Sequence, residues 1–364
     1  MTGLRGMTWD HPRAYLPLQA FAGRLAAPRI TWDRQSLADF EARPLETLAP
    51  SYDFLVVDHP GLGHAIATGA LLPWDKVFTG DELAVWAAAS VGPTWASYTL
   101  DDQQWALPID AATQVGVRAA DLTTPLPTAW TDVPDASREI ATTLCLGGPH
   151  AFLMLLAMCA DDDRRSPDLL DPQVAEQALD LLTWLWRTVD RTTSLGDPIT
   201  VHEAIAAGAA DWCPLAYGYA SYAAGRTGAR PLAWAGAPSF ATDRPGSVLG
   251  GTGLALSAHR DTDLDDVRRW VTAFLADDVQ TALVPSTSGQ PAHRGAWDSP
   301  EVDRDWGGYY SATRRSVDTA WVRPRYDGWV ALQDEASELV REVVDGRARA
   351  AAVVTEINER FRSA

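Results

Sequence analysis

Apolar positions along the first hundred residues alternate between two periods. Leu4–Thr8, Arg29–Asp33 and Phe54–Asp58 are short runs of strand-formers, and the last, FLVVD, is almost wholly apolar, as a strand covered on both faces must be. Between the first two, Ala14–Leu25 carries apolar residues at helical spacing. Strand, helix, strand in this order requires right-handed crossovers and predicts parallel pairing. The first and third strands run into loops rich in polar groups, Trp9–Arg13 and His59-Pro60-Gly61-Leu62-Gly63-His64. In open α/β sheets, ligands collect at the carboxyl ends of strands.

The pattern changes at Leu100–Val117, LDDQQWALPIDAATQVGV, where one run of strand-formers ends at Ile109 and another begins at Thr113. Asp110-Ala111-Ala112 between them reads as a crossover from one lobe to another, each lobe with its own sheet. A Trp-bearing helix is predicted before it at Asp81–Ala89, and a Pro/Thr-rich linker after it at Leu122–Trp130. Further on come a helix apolar almost all round, Gly148–Met158, and an amphipathic one, Pro172–Val189. Ala210–Tyr219 reads as a strand leading to an aromatic loop. Val248–Ser257 reads as a glycine-bearing loop turning into a strand, followed by the helix Leu264–Leu275. A second crossover is placed near Gly250–Gly253 and a third between Trp297 and Tyr309. Val322–Trp329 and a helical tail, Ala331–Phe361, then complete the second lobe. Lobe 1 is thus expected to hold residues 1–110 plus about 253–300, and lobe 2 about 111–252 plus 301–364.

Composition narrows the functions open to such a chain. Its 364 residues exceed the usual size of a single core. A net charge of −18 opposes a nucleic-acid groove or an anionic membrane surface, and no window reaches the length of a membrane span; the longest apolar patch is Ala151–Ala160. Lys76 is the only lysine, a skew that reads as codon bias of a high-GC bacterial gene. Cys145, Cys159 and Cys213 are odd in number and lack CxxC spacing, which points to buried thiols in reduced protein. The first residues, MTGLRGMTWDHPRAYLPL, contain no signal-peptide core, so as written the chain is expected in the cytoplasm, or outside it if a leader was removed.

Three stretches carry a family likeness: W-A-L-P-I-D-A-A-T-Q-V at the crossover, G-G-T-G-L-A-L-S-A before a helix, and S-G-Q-P-A-H-R-G-A-W after it. In their order and spacing the chain resembles the family-one extracellular solute-binding proteins of ABC transporters, which have the type II periplasmic-binding fold. The resemblance implies two α/β lobes joined by hinge crossovers and closing on a small ligand, with an ABC permease as partner if the chain is exported. It departs from the family in showing no leader. An alternative stays open: a cytosolic enzyme on the same scaffold, using a cleft His and Asp as general acid or base.

The candidate ligand contacts follow from these loops and motifs. His11, His59, His64, His150 and His293 all fall in predicted loops or at helix starts. Trp9, Asp10, His11 and His59 follow the first and third strands, and Asp110 and Thr113 stand at the crossover. For catalysis, Asp10 or Asp110 would orient a histidine, with His11, His59 and Asp110 the candidates. Arg323-Pro324-Arg325-Tyr326 is a stiff extended tetrapeptide that would present Arg323 and Arg325 as a clamp for an anionic group, with Arg294 in the same class. Thr252 in the glycine pair's strand, Gln290 and His293 after the Gly289 turn, and Tyr217 and Tyr219 around Gly218 complete the set. Trp130, Trp212, Trp297 and Trp329 lie near predicted loops, where an indole face would stack on a sugar ring. There is no HxH, HExxH, GxSxG or P-loop pattern, so no metal and no cofactor are expected. The ligand expected is a sugar, an organic acid or another small polar metabolite.

Overall fold

The computed structural model describes residues 3–24, 28–160, 168–223, 229–240 and 246–363. The chain divides into two compact units. Unit 1 is Met1–Ala112, Gly250–Arg304 and Val322–Trp329; unit 2 is Thr113–Leu249, Asp305–Trp321 and Val330–Ala364. Val322–Trp329, expected in the second lobe, therefore belongs to the first.

The strands in chain order are β1 (Leu4–Trp9), β2 (Ile30–Gln35), β3 (Phe54–Val57), β4 (Leu71–Leu72), β5 (Thr99–Leu100), β6 (Gln103–Gln104), β7 (Ala106–Ala119), β8 (Trp212–Tyr217), β9 (Leu232–Ala235) and β10 (Leu249–Ser257). In unit 1, β1 pairs in parallel with β2, Leu4 opposite Ile30, and with β3, Gly6 opposite Phe54, as the strand–helix–strand order predicts. β10 returns antiparallel against β3, Leu254 opposite Val56, which makes the sheet mixed. Both faces of β3 are covered. Phe54 lies among Trp32, Trp74 and Trp270. Leu55 and Val57 join Met7, Leu48, Leu62 and Leu71 in a second apolar cluster. The helix after β1 is Pro12–Ala22, starting two residues earlier than expected; the expected last residue, Leu25, lies outside the described residues.

The largest departure from the sequence reading is β7. Instead of two runs broken at residues 110–112, it is one fourteen-residue strand. Its first half belongs to unit 1, where Ala111 donates its backbone N–H to the Gln290 carbonyl at 2.9 Å. Its second half belongs to unit 2 and pairs antiparallel with β8 and β9, Gln114 opposite Tyr217 and Gly116 opposite Ala235. Within unit 1 the strands follow the order β2-β1-β3-β10, and within unit 2 both β8 and β9 pair with β7. The reason is local: a charged Asp110 would break an extended run, but here its charge is neutralised, as described below, and the strand passes through it.

In unit 2, the helix His150–Cys159 buries nine of its ten residues, as the apolar sequence that follows His150 requires. Pro172–Leu185 starts on an Asp171 cap that accepts from the Val174 N–H at 3.1 Å and buries Ala175, Ala178, Leu179, Leu182 and Leu185 along one stripe. The predicted tail is two helices, Trp329–Val344 and Ala350–Ser363, separated where Gly346 adopts a φ of 75°. Asn358 clasps the backbone of Leu170, accepting from its N–H and donating to its carbonyl, both at 2.9 Å.

Candidate functional site

In unit 1 the residues that follow β1 and β3 form a buried polar network. Arg13, in the first turn of the helix after β1, donates from Nε to Asp110 Oδ1 at 2.7 Å and from Nη2 to Asp110 Oδ2 at 2.6 Å. The Arg13 side chain is 3% exposed and that of Asp110 10%. This two-pronged, charge-assisted pairing is the strong form of the contact. Burial still raises the pKa of Asp110, against the pull of Arg13. His11 caps the same helix: its Nδ1 accepts from the Arg13 N–H at 3.1 Å, and its ring stacks on Trp9 with centroids 5.2 Å apart.

The second half of the network follows β3. Arg323 donates from Nη2 to Asp58 Oδ2 at 2.8 Å. Asp58 Oδ1 accepts the His59 backbone N–H at 2.9 Å and lies 3.2 Å from His59 Nδ1. Although burial pushes the other way, Arg323 and His59 together hold the Asp58 pKa down to about 2. His59 is fully buried, and its imidazole is driven to a pKa of about 4, first by desolvation and then by the charge of Arg323, with Arg325 adding to it. It is therefore neutral at physiological pH. Its Nε2 has no hydrogen-bond partner among the described residues. The Tyr98 ring meets His59 edge-on at 6.0 Å, and its hydroxyl donates to the Val57 carbonyl at 3.2 Å.

The segment carrying Arg323 and Arg325 is seated on the backbone just beyond His59. A Cβ at Gly63 would come within 2.0 Å of the Arg325 carbonyl oxygen, so only glycine allows this approach. His64 fastens the far end of the segment, with Nδ1 2.8 Å from Asp327 and Nε2 3.1 Å from Glu46, and both carboxylates raise its pKa. Arg325 donates from Nη1 to the Ala96 carbonyl at 2.7 Å.

The remaining sequence candidates take other places. Asp10 is exposed and pairs with Arg34 at 3.3 Å. The two carboxylates expected to orient a catalytic histidine, Asp10 and Asp110, are thus engaged by arginines. Arg323 is likewise ion-paired, with Asp58, the salt-bridge alternative to a ligand clamp. Gln290, wholly buried, donates from Nε2 to the Ala111 carbonyl at 3.2 Å and so grips the crossover residue from both sides of its peptide. Thr252 is a buried residue of β10, next to Gly251, whose φ of 102° lets it lie against the Asp110 backbone. His293 caps the short helix Arg294–Trp297 and has Nε2 3.2 Å from Asp277; Arg294 donates to the Ser90 carbonyl at 3.3 Å. His293 also lines a cavity of about 20 Å³ with Trp86, Trp95, Pro108 and Gln280, room for roughly one water.

In unit 2, Thr113 is buried, shares a short hydrogen bond with Ser247, and Ser247 in turn donates to the Gln114 carbonyl at 2.8 Å. Tyr217 donates to the Leu249 carbonyl at 3.4 Å and meets the His150 ring edge-on at 6.0 Å. Tyr219 packs edge-on against His202 at 5.3 Å. Trp130, Trp212 and Trp329 are 0% exposed and Trp297 4%, so these indoles fill cores here instead of presenting open faces. Sequence reasoning missed Arg13, Asp58 and Tyr98. A terminal Asp on an otherwise apolar strand is a signal for Asp58; nothing local marks Arg13, whose partner is 97 residues away. No group of three or more potential ligands is placed to hold a metal among the described residues. No described helix is long and apolar enough to cross a membrane.

No protein-family model matches the chain, and no curated protein matches it in sequence. Solved structures do match its fold. A maltose-bound MalE3 from T. maritima superposes with a TM-score of 0.83 at 13% identity, covering 99% of both chains. An ABC-transporter solute-binding protein from Agrobacterium radiobacter K84 in complex with ribitol gives 0.80 at 15% identity, covering 98% of this chain and 97% of that one. The GacH receptor of Streptomyces glaucescens gives 0.79 at 15% identity over 100% and 98%. The fold of this chain is therefore the type II periplasmic-binding fold of solute-binding proteins, as the three sequence stretches implied.

Proposed function

We propose that this chain is a reversible binder of a small polar solute, a sugar, polyol or organic acid, held by residues at the carboxyl ends of β1 and β3. The observation that carries this reading is the concentration of two buried ion pairs, Arg13–Asp110 and Arg323–Asp58, together with neutral His59 at those strand ends. Burying ion pairs gains little stability over apolar packing. Preformed hydrogen-bonding groups at a ligand site give a physical reason to keep them. The neighbours in fold support the same reading, because their bound molecules are maltose, ribitol and, in a Thermotoga lettingae protein, α-D-tagatose. On this reading the downstream partner is an ABC permease, and the chain works where such a permease receives its solute.

A thermal-shift screen of the whole chain against monosaccharides, disaccharides, polyols and small organic acids tests the proposal. A true ligand at a hundredfold excess over its dissociation constant stabilises by about 2.7 kcal/mol and raises Tm. An unchanged Tm across the whole panel contradicts the reading.

A further inference from the structure

The recess beside His293 lies within unit 1 and is built by segments other than the strand ends described above. Trp86 comes from the helix Gly80–Ala89, Trp95 from the short helix Thr94–Ser97, and Gln280 from the wide π-type turn Val279–Leu283, a geometry that recurs at functional sites. Most polar groups of the lining are already engaged. His293 uses both ring nitrogens, Nδ1 accepting from the Gly295 N–H at 3.1 Å and Nε2 facing Asp277, and the Ser90 hydroxyl donates to the Trp86 carbonyl at 2.8 Å. Gln280 differs. It is 2% exposed, and its Nε2 donates to the Phe274 carbonyl at 2.8 Å, but its Oε1 accepts from no described group and is not sealed from solvent. Trp86 and Trp95 are half-buried, and neither indole N–H donates to a described residue. The recess thus joins one open acceptor to residues carrying two open donors. None of the described residues that line it is Asp, Glu, Lys or Arg.

A charged group entering such a recess would give up water with no opposite charge on the lining to replace it. A hydroxyl both donates and accepts, so it suits the carboxamide oxygen and the indole N–H groups together. The enclosed space of about 20 Å³ admits one group of that size, and the body of the molecule must lie outside, against the half-buried indoles. Beyond Ala89, which lines the recess, Val85 and Ala88 continue the same face of their helix, and Val85 is 65% exposed. A body with hydroxyls at its rim and apolar C–H faces fits these surroundings. We propose that the recess is a second binding site, for a neutral pyranose sugar, with one hydroxyl donating to Gln280 Oε1 and a ring face laid on the indoles of Trp86 and Trp95. This stands apart from the binder reading above, because the recess shares no residue with the Arg13–Asp110 and Arg323–Asp58 pairs or with His59.

Fluorine NMR of the whole chain labelled with 5-fluorotryptophan tests this, the resonances of Trp86 and Trp95 being identified by their loss in Trp86→Phe and Trp95→Phe. The probes are methyl β-D-glucopyranoside, methyl β-D-galactopyranoside and methyl α-D-mannopyranoside, with methylammonium and acetate as charged counterparts. At least one glycoside should move both resonances along a saturating curve, and neither ion should. Gln280→Leu should raise the midpoint of that curve roughly tenfold, and Trp95→Phe, read at Trp86, should raise it roughly two- to tenfold. Both changes keep side-chain bulk, and the result is read from whichever variant keeps the wild-type Tm. No saturating shift from any glycoside overturns the site. A shift produced by methylammonium or acetate in place of the glycosides overturns the neutral sugar. A response that keeps its wild-type midpoint in both variants arises elsewhere in the chain and overturns the assignment to this recess. None of these results touches the binder reading, which the thermal-shift panel decides separately.

Discussion

Arg13 and Asp110 meet through two hydrogen bonds, 2.7 and 2.6 Å long, although 97 residues separate them in sequence. The pair ties the start of the helix after β1 to the middle of β7, and neither side chain is more than a tenth exposed. Removing one partner leaves the other charge buried and uncompensated. Arg13→Met or Asp110→Ala should each cost about 3–5 kcal/mol in chemical denaturation. Arg13→Met combined with Asp110→Leu should cost less than the sum of the two single changes. Strict additivity would show that the pairing contributes nothing specific.

His59 sets the response to acid. Its folded pKa of about 4 lies below the ordinary histidine value of 6.5, so the unfolded chain takes up its proton first as pH falls. The stability associated with neutral His59 is complete above pH 6.5 and is lost as pH drops through that value toward 4. The loss amounts to roughly 3 kcal/mol. His59→Gln should flatten this part of the profile, measured as Tm against pH. A wild-type profile that is flat between 6.5 and 4 would contradict the burial of a neutral imidazole.

His64 works in the opposite direction. Asp327 and Glu46 raise its pKa, so its contribution is complete below the ordinary histidine value and is lost as pH rises through the raised one. The side chain is 43% exposed, which keeps the effect small. Tm measured from pH 6 upward should decline more in wild type than in His64→Ala, and parallel curves would argue against the clasp.

Gly63→Ala should displace the Arg323–Arg325 segment, because a methyl there would lie 2.0 Å from a backbone oxygen that has no flexible end to move aside. A loss of about 1–3 kcal/mol is expected. Arg323→Gln combined with Gly63→Ala should be less than additive, since both release the same segment. Wild-type stability in Gly63→Ala would mean that the segment is not seated as described.

Much of the fold is legible because it rests on local pattern. The all-apolar Phe54–Val57, the polar loops after β1 and β3, and the unbroken apolar run of Ala151–Cys159 each state their own burial. The continuity of β7 is not legible, because Asp110 reads as a break until Arg13 is known to neutralise it. Likewise, Arg323 reads as a free clamp because its partner, Asp58, stands 265 residues earlier. The return of Val322–Trp329 to unit 1 depends on the same contact together with the space at Gly63, and neither has a periodic signature. The tail's division at Gly346 was readable in principle from Asp345-Gly346, a helix-ending pair. The tryptophans near loops misled because loop position says nothing about which way an indole turns; Trp297, for example, turns inward to donate to the Pro291 carbonyl at 2.8 Å.

A crystal structure of the chain with the compound that raises Tm most tests the account at its centre. It predicts ordered ligand density hydrogen-bonded to groups following β1 and β3, among them His59 Nε2 or the Asp58 and Asp110 carboxylates. Ligand density remote from both strand ends, with those groups unchanged from the arrangement described here, would contradict it.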